Sequence, residues 1–145
     1  MARYLIDTNV LLRAAAPKSS QHAAAVQAIK RLVSRGEDLL LAPQVLVEFW
    51  SVATRPVEVN GYGWPAHDAE ARVAQLLRQF PLLPETPAVF PEWLRLVSRH
   101  GIQGKQVHDA RLVAILNIHG LDRLLTFNDG NFQPYGIVAV LPEQV

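Results

Sequence analysis

The sequence predicts an α/β protein of three layers, in which helices cover both faces of a central, mostly parallel and twisted sheet. Three observations predict this fold class. Short β-rich apolar runs alternate with longer segments of helical periodicity along the chain. The 145 residues suit one domain, and half of them are apolar, which is enough for a buried core. No repeat, linker or low-complexity tract divides them, so we expect a single domain over residues 1–145.

In the first half of the chain, proline, serine and glycine mark where the predicted elements begin and end. Pro17 stops the first helix, Ser19 or Ser20 can cap the second, and Gly36 lies where a helix C-terminal glycine is typical. Pro43 suits the first turn of the third helix, where its missing N–H would be unpaired anyway. The predicted elements are a strand over 3–7, a helix over 10–16, a helix within 20–36, a strand over 38–42 and a helix from 43 to about 55.

The second half continues the alternation after a loop over 56–65, which is rich in proline, glycine and aromatic residues and breaks the periodicity. Gly120 closes the last predicted helix. The predicted elements are a helix over 66–80, a short strand at 82–83, a helix over 87–100, a loop over 101–107, a helix over 108–119, a strand over 123–127 and a strand over 136–141. Strands that alternate with helices favour a parallel sheet buried on both faces.

Composition excludes several classes of function. The chain has no cysteine, so disulfides, thiolate zinc sites and cysteine nucleophiles are ruled out, and a reducing cytoplasm suits it. The segment 1–7 lacks the apolar region of a signal peptide, and no apolar run is long enough to span a bilayer. We therefore expect a cytoplasmic protein with no membrane partner. A net charge of +1 gives no general attraction for a polyanion, so a phosphate group would need a local site or a metal.

Asp7 is the first candidate functional residue, because it ends the first predicted strand. Reactive groups in open parallel sheets gather at the carboxyl ends of the strands, where loops and helix N-termini meet. An aspartate in this position can instead cap the following helix by accepting hydrogen bonds from its free backbone N–H groups. Asp7 alone does not distinguish the two roles.

Glu48 is the second candidate, because its helical position turns it toward the core. The apolar stripe of this helix consists of Val45, Phe49 and Val52. Glu48 falls at the edge of the stripe and not on the opposite polar face. A buried carboxylate needs a cation, strong hydrogen-bond donors or a shifted pKa. The alternative to a functional role is an ion pair with an arginine such as Arg55 or Arg13.

Asp109 is the third candidate and lies within the apolar stripe of its own predicted helix, which Leu112, Val113 and Leu116 form. A helix N-terminus favours an anion, so an N-capping role explains the position in part, but not the alignment with the core-facing stripe. Three carboxylates from three separate elements, all turned toward one end of the sheet, suit a hard divalent cation such as Mg²⁺ or Mn²⁺, which takes oxygen ligands and water.

Four segments in this order resemble a known family. They are Asp7-Thr8-Asn9 after the first strand, the helix bearing Glu48, the stretch 104–110 with His108-Asp109-Ala110, and Leu125-Thr126-Phe127-Asn128 followed by Phe132. Over nearly the whole chain the sequence resembles the PIN-domain family, particularly its VapC-like toxins. The resemblance implies a PIN-like fold, a Mg²⁺- or Mn²⁺-dependent endoribonuclease acting on RNA such as tRNA or rRNA, and inhibition by a cognate antitoxin protein. A homodimer is also expected.

The resemblance also implies roles for individual residues. The family's first three acids fall on Asp7, Glu48 and Asp109; Asp7 and Asp109 would hold the metal, while Glu48 binds through water or orients the attacking water. The fourth acid of the family is replaced by Asn128, which offers a carbonyl oxygen but no charge, and the neighbouring Asp129 is a further candidate ligand. Three residues are expected to hydrogen-bond to the acids, or else to serve as ordinary strand-end and capping groups. They are Thr8, Thr126 and Asn128.

Other polar and aromatic residues have two interpretations each. His108 is either an acid or base or a surface histidine, and Lys105 either meets a phosphate or is an ordinary loop lysine. Tyr62 and Trp64 either stack on unpaired bases or cover the core. Trp50 faces away from the apolar stripe of its helix and points to a second contact surface.

Of three rival functions, the sequence argues against two. A haloacid-dehalogenase-like phosphatase needs an Asp-x-Asp motif, which Asp7-Thr8-Asn9 does not supply. A receiver domain needs neighbouring acids and a strand-end lysine that the chain lacks in the required order. The third rival is a catalytically weakened PIN fold that binds RNA or a protein without cutting, and Asn128 favours it.

Overall fold

The computed structural model describes residues 1–145 and contains one four-stranded sheet in which all strands are parallel. The strand order is β2-β1-β3-β4, so β1 lies inside the sheet between β2 and β3. The strands are β1 (Arg3–Ile6), β2 (Asp38–Leu40), β3 (Arg123–Leu125) and β4 (Val138–Val140). The predicted parallel α/β architecture is confirmed.

Six α-helices cover the sheet. They are α1 (Thr8–Ala14), α2 (His22–Ser34), α3 (Pro43–Thr54), α4 (Ala66–Gln79), α5 (Val89–His100) and α6 (Gln106–Ile118), with 3₁₀ segments at Val57–Val59, Asp129–Tyr135 and Pro142–Gln144. Helix α1 packs on α2 and α3, α3 packs on α4, and α5 packs on α6. Leu5 and Ile6 of β1 are fully buried, as expected for a strand covered on both faces. None of the helices is both long enough and apolar enough to cross a membrane.

Several predicted boundaries are wrong for local reasons. Neither Ser19 nor Ser20 caps α2, because Ser19 Oγ instead accepts the N–H of Gln21 at 3.1 Å within a turn. The strand predicted at 82–83 is reduced to one parallel bridge, between Leu41 and Leu82. Helix α6 begins two residues earlier than predicted, since Gly104 adopts a left-handed conformation (φ 64°) that turns the chain directly into the helix.

The strand ends bring separate parts of the sequence to one edge of the sheet. The backbone N–H of Asp7, just after β1, donates to Leu125 O of β3 at 2.9 Å. The N–H of Thr126, just after β3, donates to Val140 O of β4 at 3.0 Å. Asp7 and Thr126 therefore lie side by side at the carboxyl edge, where parallel sheets carry their functional groups.

Candidate active site

Asp7 is buried, with 6% of its surface exposed, and both of its carboxylate oxygens accept hydrogen bonds. Oδ1 accepts the backbone N–H of Thr8 at 2.8 Å, so Asp7 does cap α1. Oδ2 accepts the hydroxyl of Thr126 at 2.8 Å and the amide of Asn9 at 3.4 Å. The capping role and a position at the centre of the carboxyl edge are thus combined in one residue.

Thr126 is fully buried and connects the ends of β1 and β3. While its hydroxyl donates to Asp7, the same oxygen accepts Asn9 Nδ2 at 3.2 Å and the backbone N–H of Asn128 at 3.0 Å. Asn9 completes the link because its Oδ1 accepts the N–H of Phe127 at 3.1 Å. Asn128 contributes its backbone here, and its exposed side chain makes no hydrogen bond.

Glu48 lies half-buried on α3 and is held by two neutral donors. Oε2 accepts the hydroxyl of Thr8 at 3.2 Å, and Oε1 accepts the amide of Gln44 at 2.9 Å. The alternative of an ion pair is wrong, since Arg13 donates to Gln21 and Tyr62 and Arg55 to Asn60. Glu48 therefore keeps an unpaired charge that faces the start of α1.

Asp109 is the fourth residue of α6 and is half-buried. The capping explanation for it is wrong, because the N-cap position belongs to Lys105, whose side chain makes no capping bond. Burial raises the pKa of Asp109, and a side-chain hydrogen bond with Asn131 opposes this shift; burial and then the charge of Asp109 raise the pKa of Tyr135. Both partners belong to the 3₁₀ segment Asp129–Tyr135, so this segment packs beside the third acid.

Neighbouring negative charges act on two of the three carboxylates, those of Asp7 and Asp109. Burial raises the pKa of Asp7 to about 6, hydrogen bonds from Thr126 and Thr8 oppose the shift, and the charges of Asp109 and Glu48 add to it. Burial and then the charge of Glu48 also raise the pKa of Asp109, which His108 and Asn131 partly offset. None of the salt bridges in the structure involves these acids. The cluster is therefore negative without a paired lysine or arginine.

The donor set of this cluster fits a hard divalent cation that retains water. Its oxygens are carboxylate, hydroxyl and amide oxygens, which Mg²⁺ and Mn²⁺ accept as ligands. The carboxylates do not form a group of three that could all bind one ion directly. Magnesium sites commonly use one or two carboxylates with several waters, so two direct protein ligands with a third acting through water suit this spacing.

Asp129 lies apart from the three acids in its interactions. It is half-buried at the start of the 3₁₀ segment and makes no hydrogen bond to Asp7 or Asp109. Its charge is also absent from the causes that shift their pKa values. Electrostatic effects thus connect Asp7, Glu48 and Asp109, and Asp129 does not contribute to them.

The sequence analysis missed Gln44 and Arg111. Gln44 bonds to Glu48, to the backbone carbonyl of His108 and to Arg111. Its position four residues before Glu48 on a helix was a detectable signal, because side chains at this spacing are neighbours. Arg111 comes from another helix, and no spacing in the sequence relates it to Glu48.

The aromatic candidates pack on the core or lie exposed on a helix. Trp64 packs edge-on against Phe49 with ring centroids 6.1 Å apart, and Tyr62 also packs on the core, so both residues cover it. Trp50 is exposed on α3, as predicted.

A separate cleft of about 650 Å³ lies between α2 and α4, with a largely apolar lining, and none of the three acids reaches it.

Comparisons with known proteins agree with this fold. The sequence profile of the PIN domain matches residues 4–136. Ribonuclease VapC24 of Mycobacterium tuberculosis is 30% identical over 139 residues, which cover 93% of this chain and 92% of the relative.

Solved structures share the architecture at lower identity. The VapC20 toxin of Mycobacterium tuberculosis, described as cleaving the sarcin-ricin loop, superposes with a TM-score of 0.70 at 22% identity, over 94% of this chain and 98% of that one. A toxin-antitoxin complex from Klebsiella pneumoniae contains a chain that superposes with a TM-score of 0.67 at 20% identity. The match covers 98% of this chain and 99% of that one. The parallel sheet, the profile match and the full-length relative together place this chain in the PIN-domain family, where it is related to VapC ribonucleases.

Proposed function

We propose that this protein is a metal-dependent endoribonuclease of the VapC type, which cleaves RNA phosphodiester bonds with Mg²⁺ or Mn²⁺. The observation that carries the proposal is the cluster of Asp7, Glu48 and Asp109 at the carboxyl edge of a PIN fold. Burial and the charge of Glu48 raise the pKa values of Asp7 and Asp109, and no lysine or arginine pairs with the three acids, so a divalent cation is the natural counter-ion. The full-length relationship to ribonuclease VapC24 supports the same activity.

Each acid has a proposed task. Asp7 and Asp109 bind the cation, and Glu48 orients the attacking water or contacts the cation through water. Thr126 and Thr8 hold Asp7 and Glu48 in place through the hydrogen bonds at 2.8 and 3.2 Å. A bound divalent cation supplies a more acidic water and offsets the charge that develops on the phosphate.

The replacement of the fourth acid by Asn128 favours one tightly held cation over two. The side chain of Asn128 is exposed and carries no charge, and Asp129 is not engaged with the other acids. Asp129 stays a candidate ligand in the presence of RNA phosphates. We accordingly propose a single high-affinity metal site.

The partners are proposed from the relatives. An RNA stem-loop within tRNA or rRNA is the proposed substrate class, since VapC20 is described as cleaving the sarcin-ricin loop. A cognate antitoxin protein is the proposed inhibitor, since a structural neighbour occurs in a toxin-antitoxin complex. The cleft between α2 and α4 offers such a partner an apolar surface away from the acids. We further propose that the protein forms a homodimer, for which the exposed Val47 and Trp50 of α3 offer apolar contacts. The proposed location is the cytoplasm.

Cleavage of total cellular RNA in Mn²⁺, in Mg²⁺ and in EDTA tests the activity. Wild-type protein is expected to cut in both metals and not in EDTA. Asp7→Asn and Asp109→Asn are expected to lose at least about 100-fold in rate, because even the outer partners of metal ligands contribute about 10–100-fold. Asp68→Asn is the matched control, because Asp68 is exposed on α4 and pairs only with His67. Equal cleavage by the wild type and both acid variants would contradict the proposal.

The same experiment addresses the non-catalytic alternative. The exposed Asn128 in place of an acid is the observation that favours a PIN fold that binds without cutting. RNA binding by the wild type in a mobility-shift assay, with no cleavage in either metal, would favour that alternative. Growth arrest on expression, relieved by the product of a neighbouring small gene, tests the toxin and antitoxin roles separately.

A further inference from the structure

A chain of three polar side chains outside the acid cluster, those of Glu85, Arg111 and Gln44, ends on Glu48. Gln44 Nε2 donates to Glu48 Oε1 at 2.9 Å and to the backbone carbonyl of His108 at 2.9 Å. Gln44 Oε1 accepts from Arg111 Nη1 at 2.9 Å, and Arg111 Nη2 donates to Glu85 Oε1 at 2.8 Å. Both amide hydrogens and the amide oxygen of Gln44 are therefore used.

We propose that Gln44 is a positioning residue, which orients Glu48 and fixes it relative to Asp109 for cation binding. This inference rests on the proposed function and adds to it a residue that touches neither the substrate nor the cation. Gln44 belongs to the first turn of α3, and His108 directly precedes Asp109 on α6. One side chain thus ties together the two helices that carry the second and third acids.

Arg111 determines which way the amide of Gln44 faces. If the amide were rotated by half a turn, its oxygen would face two acceptors, Glu48 and the His108 carbonyl, and its NH₂ group would face the guanidinium. All three contacts would become repulsive. Arg111 is itself held by the ion pair with Glu85, so the orientation is transmitted from the surface to Glu48.

A neutral amide suits this role because it orients Glu48 without cancelling its charge. A lysine or arginine in contact with Glu48 would supply the positive charge that the cation otherwise provides. Arg111 is kept from Glu48 by the intervening amide, and Glu85 balances its charge. On the other side, Thr8 Oγ1 holds Oε2 with a second neutral donor. The carboxylate of Glu48 is therefore fixed in direction by two neutral donors and is not paired with a basic side chain.

The test compares Gln44→Met with Gln27→Met. Methionine has a similar length and helix propensity and no amide, and Gln27 is an exposed glutamine of α2 without side-chain hydrogen bonds. Mn²⁺ binding is measured by calorimetry without RNA, together with kcat, KM and the melting temperature in EDTA. Gln44→Met is expected to weaken Mn²⁺ binding about 10-fold or more and to lower kcat, with KM for RNA and the melting temperature little changed. Gln27→Met is expected to match the wild type.

A second variant keeps the inference testable if Gln44→Met folds poorly. Arg111→Met leaves Gln44 in place but frees its amide to rotate, so a smaller loss of Mn²⁺ affinity in the same direction is expected. Unchanged Mn²⁺ affinity in the variants, with or without a fall in melting temperature, overturns the positioning role and leaves the proposed nuclease intact. A wild type that neither binds Mn²⁺ nor cleaves RNA overturns both proposals together.

Discussion

At the scale of single residues, one hydroxyl group organises the candidate site. Thr126 Oγ1 donates to Asp7 and accepts from Asn9 and from the backbone of Asn128, and no part of Thr126 is exposed. A buried polar atom with three partners is costly to remove, because each partner loses a hydrogen bond where water cannot replace it. The hydroxyl also opposes the effect of burial on the pKa of Asp7.

Thr126→Val is therefore expected to destabilise the fold by about 1–3 kcal/mol and to raise the pKa of Asp7 further. The matched control is Thr86→Val, because the hydroxyl of Thr86 is buried without a hydrogen-bond partner. Removing that hydroxyl should leave the free energy of unfolding unchanged or slightly increased. Urea denaturation of both variants measures the difference, and equal losses would contradict the role given to Thr126.

The raised pKa of Asp7 predicts that the free energy of unfolding depends on pH. Its pKa is raised from 3.8 to about 6 in the folded protein, so the folded state holds a proton that the unfolded chain has released between these pH values. The free energy of unfolding should therefore fall as pH rises from about 4 to about 6, by up to about 3 kcal/mol from this residue.

Asp7→Asn is expected to flatten this pH dependence. The burial of Asp109 also raises its pKa, so a smaller slope of the same sign should remain. Chemical denaturation in EDTA at several pH values between 4.5 and 7.5 measures both slopes. If the wild type and the variant gave parallel curves, Asp7 would not carry the raised pKa.

At the scale of elements, periodicity and cap residues predicted the alternation of strands and helices, because these signals act within a few residues. The ends of elements depended on contacts that the pattern does not contain. Ser19 makes a turn of its own in place of a cap, and Gly104 brings the start of α6 forward. Asp109 consequently lies one turn inside its helix and not at the cap.

The segment 56–65 shows the same limit. Its prolines and glycines predicted a loop, but the structure pairs its second half with the end of α3. Tyr62, Gly63 and Trp64 donate backbone hydrogen bonds to Val52, Arg55 and Ala53 at 2.8 to 3.0 Å. Such pairing joins residues about ten apart and is set by the path of the loop.

Gly61 makes this pairing possible, because a Cβ atom there would lie 1.9 Å from the backbone oxygen of Arg55. Gly61→Ala is expected to lower the free energy of unfolding by about 1–3 kcal/mol, since the loop must shift to admit the methyl group. Gly130→Ala is the control, as nothing lies within 4 Å of the added carbon. Thermal unfolding compares the two, and a tolerated Gly61→Ala would mean that the loop is not closely packed on α3.

At the scale of the whole molecule, the elements that carry the three acids could be predicted from the sequence, but the distances between these elements could not. Asp7 could be assigned to a strand end, and Glu48 and Asp109 to inward helix faces, from local patterns. The contact from Gln44 to His108 depends on how α3 and α6 approach each other, which is a tertiary property. The position of β1 between β2 and β3 has the same origin.

A bound cation should stabilise the entire fold, because only the folded state brings the acids together into a site that the cation can bind. Mn²⁺ at about 100 times its dissociation constant is expected to add about 2.7 kcal/mol to the free energy of unfolding. Asp109→Asn should lose most of this gain while remaining folded in EDTA. Melting curves with and without Mn²⁺ give the comparison, and an equal gain in the variant would place the cation elsewhere.

The most direct measurement of the central claim is an anomalous difference map from crystals grown with Mn²⁺. We predict one strong peak between the carboxylates of Asp7 and Asp109, on the side that faces Glu48, and no such peak in Asp7→Asn crystals. A map without a peak at this edge of the sheet, or with an arginine or lysine side chain paired to Asp7 in its place, would contradict the assignment of these acids to metal-dependent RNA cleavage.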